Sequence, residues 1–299
     1  MTPTIVAVST GTKSVVAGQS VSITCTVNSD ATTPIIFMWK RIQNGGRIDP
    51  PTGAQATPQG ERSNQLVWTS VGWQDGGQYE CQASNQVGSR TSSPATLIVY
   101  YAADSVTLAA SATTVNAGTS GSLTCSSSGG NPRPGLVIYD VTGGGQLNEL
   151  VQSSDAATLT FSKLMQKSDN GAKYACKTNV NVAGVTIPVK TSNTITMNVQ
   201  FSPNGLDAPQ SLNLDESQTS FLRCQTTSSS NPETTLVWSG PGLGAPTTST
   251  SRVDYGVKTV LDVSVTADRT RNDAIYTCTA KHLNQQIFTT KTTLNVNCK

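Results

Sequence analysis

Short segments in which every second residue is apolar recur along the chain, and no stretch spaces its apolar residues as a long amphipathic helix does. Over residues 15–25 a turn at Gly18 is followed by Val21, Ile23 and Cys25 at alternate positions, a half-buried strand with those three inward. Residues 115–125 repeat the pattern with Gly118 in the same place, and residues 214–224 put Ser217 there. Residues 35–40 predict a second strand with Phe37 and Trp39 inward, which turns Ile36 and Met38 outward. Leu66, Trp68 and Val71 read as the inward residues of a later strand and its turn; Leu159, Phe161 and Leu164, then Leu261, Val263 and Val265, are the matching sets.

Six cysteines sit on this pattern at regular places. Cys25 and Cys81, Cys125 and Cys176, and Cys224 and Cys278 lie 56, 51 and 54 residues apart. Each second cysteine follows a tyrosine by two positions: Tyr79, Tyr174 and Tyr276. Trp39, Tyr139 and Trp238 each stand 14 residues after a first cysteine, the distance that completes one strand, turns, and sets a ring of the next strand against a disulfide. The frame repeats at about 100 residues, so the chain divides into residues 1–100, 101–201 and 202–299. The fold class that follows is all-β: three tandem immunoglobulin-like sandwiches, each with one inter-sheet disulfide and a tyrosine corner. Cys298, the seventh cysteine, falls where Tyr100 and Phe201 fall at the earlier junctions and is left to pair outside this stretch or between chains.

Composition adds a compartment. Charged residues make up 13% of the chain, as many short strands with polar outer faces require, and paired cysteines persist as cross-links only where conditions are oxidising. An extracellular location is therefore expected. Met1-Thr2-Pro3 begins no signal peptide and no apolar run is long enough to span a bilayer, so the chain reads as a fragment whose signal and anchor lie elsewhere. A net charge of +2 with scattered Lys and Arg offers no basic stripe for nucleic acid. No Asn-x-Ser/Thr acceptor occurs, which leaves the sandwich surfaces open to protein contact.

The stretch Asp75-Gly76-Gly77-Gln78-Tyr79-Glu80-Cys81 resembles the intermediate-set domains of adhesion molecules and receptors. Asn131-Pro132-Arg133-Pro134, with Asp169-Asn170-Gly171-Ala172-Lys173-Tyr174-Ala175-Cys176, is similar to constant-type domains of nephrins, kirrels, nectins and nectin-like molecules, and Asn231-Pro232 repeats part of it in the third domain. The corner aspartate is displaced in the second and third copies, and Tyr139 replaces the usual tryptophan. The resemblance implies a cell-surface recognition ectodomain that binds protein noncovalently, either another copy, as a homodimer, or another member of the family. It also implies that the membrane-distal domain presents the contact on the face of its C, F and G strands. Here that face comprises Ile36, Met38, Lys40, Gln78, Glu80, Gln82 and Arg90. A secreted immune protein binding microbial or carbohydrate ligands, and a signalling receptor ectodomain, remain open as alternatives.

Enzymatic chemistry finds no support. The only histidine, His282, has no nucleophile to serve once six cysteines are cross-linked, and no cluster of metal ligands or phosphate-binding glycine motif appears. No cofactor is expected. Gly143-Gly144-Gly145 reads as a hairpin turn and Trp73 as a cap on the bottom of the first core, and Leu261-Asp262-Val263, a three-residue match to an integrin-recognition motif with Asp262 facing out, is set aside because so short a match arises easily by chance and a rigid strand presents an Asp poorly.

Overall fold

A computed structural model describes residues 1–8, 11–144 and 148–297; Gly145 and Cys298 lie outside the described residues. Strands β1 (Ile5–Val8), β2 (Thr12–Val16), β3 (Val21–Val27), β4 (Ile36–Gln43), β5 (Gly46–Ile48), β6 (Ala54–Pro58), β7 (Ser63–Trp68), β8 (Gly77–Asn85), β9 (Gly88–Thr91) and β10 (Ala95–Ala110) begin the chain. One sheet runs β1-β3-β7-β6, and facing it β10-β8-β4-β5 carries β2 and β9 at its margins. Ile23, Leu66, Trp68, Val71, Tyr79 and Leu97 fill the space between them around the Cys25–Cys81 disulfide. The alternation of inward residues is what makes this packing possible, because each strand can bury only one of its faces.

The second domain continues with β11 (Thr114–Asn116), β12 (Ser120–Asn131), β13 (Gly135–Asp140), β14 (Asn148–Gln152), β15 (Thr158–Leu164), β16 (Lys173–Asn179), β17 (Ile195–Thr196) and β18 (Asn198–Gln200). The third contains β19 (Leu206–Asp207), β20 (Ser211–Asp215), β21 (Thr219–Thr226), β22 (Thr235–Ser239), β23 (Leu243–Val253), β24 (Gly256–Thr266), β25 (Ile275–His282) and β26 (Gln285–Asn297). Their cores enclose the Cys125–Cys176 and Cys224–Cys278 disulfides. The helical segments among the described residues are single turns of 3-10 helix.

Successive domains are joined without slack. β10 pairs with β8 through Ala95–Leu97 and with β12 through its far half, so one unbroken strand serves two sandwiches. At each junction an asparagine reaches back: Asn131 Nδ2 donates to the Val99 carbonyl at 2.8 Å, and Asn231 Nδ2 to the Val199 carbonyl at 2.7 Å. The β23–β24 hairpin adds a brace, with Asn170 Nδ2 donating to the Tyr255 carbonyl at 2.7 Å.

The shared turn before the B strand has a common cause. Gly18, Gly118 and Ser217 all adopt positive φ, at 88°, 83° and 70°, and in the third domain a side chain bears that strain. Gly18→Ala is expected to lower first-domain stability by about 1 kcal/mol, whereas Ser217→Gly is expected to raise that of the third. Denaturation midpoints of the two variants read the opposite signs.

The corners before the F strands differ in where their carboxylate sits. Asp75 Oδ2 accepts from the Gly72 N–H at 2.7 Å and Asp169 Oδ2 from the Gln166 N–H at 2.8 Å, so the one-residue displacement in the second domain leaves this role intact. Lys163 Nζ donates to Asp169 at 2.6 Å, and that bond raises the lysine's pKa. In the third domain Asp268, at the front of the turn, accepts from the Thr270 N–H at 2.8 Å. The Tyr79 hydroxyl donates to the Asp75 carbonyl at 2.6 Å, and burial pushes its pKa up to about 12. Tyr276 instead donates to the Pro241 carbonyl at 2.9 Å, because its ring lies against Gly240, where a Cβ would come within 2.3 Å.

Two expectations for the second core are corrected. Trp39 stands opposite Cys81 and Trp238 opposite Cys278, but Ile138, not Tyr139, stands opposite Cys176. The B-to-C connection is effectively one residue shorter there, which puts an aliphatic residue against the disulfide and turns Tyr139 to the other side of β13, with the Lys177 ammonium 5.5 Å from its ring. Leu164 is likewise exposed, and Met165 takes the buried place, its carbonyl accepting from Gly118 as Val71 accepts from Gly18.

Candidate interaction surface

The outer face of the β4–β8 pair is built by register. Ile36, Met38, Lys40 and Ile42 on β4 stand opposite Ser84, Gln82, Glu80 and Gln78 on β8. Because Phe37 and Trp39 turn toward the core, period two leaves Ile36 and Met38 outside, 66% and 48% exposed. The margin of this apolar pair is neutral: Gln82 and Ser84, then Thr91 and Ser89 on β9.

Lower on the same face every charge has an internal partner. Lys40 Nζ meets Asp49 at 2.7 Å, and the Arg47 guanidinium on β5 forms a fork with both carboxylate oxygens of Glu80. Glu80 lies on the expected face, but Arg47 covers it and leaves it only 3% exposed. Arg90 is a correction, because it stands opposite buried Ala83 and so projects to the opposite side of the sheet from Met38. Gln78 is exposed and Gln82 half-buried on the expected face. Arg47 and Thr91 belong to it and were missed, since only the pairing of β5 and β9 reveals them.

Trp73 does not cap the core: it is 55% exposed, and its ring lies 5.8 Å from that of Tyr101 on β10. The positions equivalent to Met38 are Val137, buried, and Val237, exposed on β22. The outer face is thus covered in the second domain and open in the first and third.

The remaining candidates have structural partners. Asp262 accepts from Arg223 Nε and Nη2 at 2.9 and 2.8 Å, which lowers its pKa and occupies the carboxylate that an integrin-like motif would present. No group of three or more metal-ligating side chains is found among the described residues, and no helix there is long and apolar enough to cross a membrane.

His282 is 6% exposed, with Nδ1 buried and unpaired. Burial lowers its pKa from 6.5, so protons bind the unfolded chain more readily than the folded one. Third-domain stability is therefore complete above the ordinary histidine value and falls as the pH drops toward the depressed folded value. Denaturation midpoints measured from about pH 7 to about pH 5 should fall for the wild type and flatten in His282→Gln, the chain having no second histidine.

Residues 2–85 match the family described as immunoglobulin domain. Along its whole length the chain is similar to the full three-domain ectodomain of mouse nectin-like molecule 4, with 20% identity over 97% of this chain and 98% of that one and a TM-score of 0.57. A marsupial T cell receptor matches at 17% identity over 94% and 97% with a TM-score of 0.46. The eight N-terminal immunoglobulin domains of Down Syndrome Cell Adhesion Molecule match at 16% identity over 99% and 36% with a TM-score of 0.41. The chain is a tandem array of three immunoglobulin-like domains whose fold resembles that of a nectin-like ectodomain.

Proposed function

We propose that the chain is an extracellular recognition ectodomain that binds protein noncovalently through the outer β4–β8 face of its first domain, with a second copy as partner. The units that act are residues 1–100, 101–201 and 202–299. One observation carries the reading: Ile36 and Met38 lie exposed together, ringed by neutral Gln82, Ser84 and Thr91, while the charges beside them are already paired within the domain. Two such faces meet without like-charge repulsion and bury apolar surface, the arrangement of an interface core with a polar rim. The short connections between domains favour this role, since they hold the first domain at a defined distance from any anchor.

The reading is tested with beads coated with the chain: wild-type beads should cluster, and an excess of the soluble chain should disperse them. Beads that stay single at every coating density would remove the self-binding arm.

A further inference from the structure

A cleft of about 580 Å³ opens at the end of the first domain between the turn entering β4 and the turn joining β6 to β7. Pro34, Phe37 and Pro58 form its apolar walls, Glu61 stands at its lip, and Asn64 lines it. Its size falls within the range of small-molecule sites.

Asn64 is the informative residue. It alternates with Leu66 and Trp68 on the inward side of β7, stands opposite Cys25, and is 7% exposed. The residues opposite the corresponding cysteines are Leu159 and Leu261. A polar side chain therefore replaces leucine at a core position in this domain alone. One end of its amide has a partner, since Trp39 Nε1 donates to Oδ1 at 2.8 Å; the equivalent Trp238 Nε1, beside Leu261, is buried without one. The other end, Nδ2, donates to no group among the described residues.

Nδ2 is not sealed from solvent, so it is an open donor that an acceptor bound in the cleft can meet. Proline and phenylalanine walls suit a flat ring. Among the lining residues Glu61 is the one charge, and with Arg62 Nη1 3.8 Å from its carboxylate the lip offers an ionic ligand no net charge. We propose that the cleft binds a small, uncharged aromatic molecule through a carbonyl oxygen that accepts from Asn64 Nδ2. The site is independent of the adhesive face, because Phe37 lies on the inner side of β4 and Met38 on the outer.

The test uses the whole chain with benzamide and benzoate as probes, which share a ring and differ in charge. Trp39 supplies the reporter, because its indole N–H is bonded to Asn64 and its ¹⁵N-correlated resonance senses the cleft floor. Benzamide should shift that resonance saturably and bind about tenfold more tightly than benzoate. Asn64→Leu reproduces the Trp238–Leu261 pairing that the third domain accommodates, and it should abolish the saturable response. Glu61→Gln, at the exposed lip, should leave benzamide binding intact and narrow the gap to benzoate. No saturable shift with benzamide up to its solubility limit, equal binding of the two probes, or undiminished binding by Asn64→Leu would each overturn the proposal.

Discussion

Replacing Cys25 and Cys81 together by alanine is expected to lower the stability of the first domain by about 4 kcal/mol, the chain-entropy value for a loop of this length. The disulfide closes 56 residues and lies at the centre of the core, against the layer formed by Ile23, Leu66, Trp68 and Tyr79. Domains of this size are stable by only about 5–15 kcal/mol, so the loss takes a large part of the margin. Urea denaturation followed by the fluorescence of Trp39 and Trp68 measures it. An unchanged midpoint would mean that the two sheets hold together through their apolar contacts alone.

Met38→Asp is expected to weaken association at least about a hundredfold, corresponding to the loss of a hot-spot residue of about 2 kcal/mol together with the cost of burying an unpaired carboxylate. The side chain is half exposed on the outer face of β4, so the substitution should leave the fold intact. The nearest cations offer little relief: Lys40 is engaged by Asp49 and Arg47 by Glu80. A denaturation midpoint within error of the wild type is thus part of the prediction, separating loss of contact from loss of structure.

Alternation along the strands made the inner and outer sides of β4 legible, because period two is a local property and Trp39 marks the core side. The tyrosines, cysteines and turn positions were legible for the same reason, each being set by its own few neighbours. Properties that depend on another strand were not. Glu80 obeys its alternation and faces outward, yet Arg47 on β5 buries it, and nothing in the spacing of β8 announces that cover. Arg90 was assigned to the wrong side because the register of β9 against β8 depends on the turn between them. Tyr139 failed through a one-residue change in a connection, which inverts the sides of a strand. Asn64 did leave a trace, as a lone polar residue two positions before Leu66 in an otherwise apolar series.

Sedimentation velocity over a concentration series, with wild type, Met38→Asp and Val237→Asp run side by side, tests the proposed function most directly. Val237 is the exposed equivalent of Met38 in the third domain and controls for a general effect of removing surface apolar groups. The weight-average sedimentation coefficient should rise with concentration for wild type and Val237→Asp and stay at the monomer value for Met38→Asp. Three coincident curves, or loss of association in Val237→Asp alone, would contradict a binding face on the first domain.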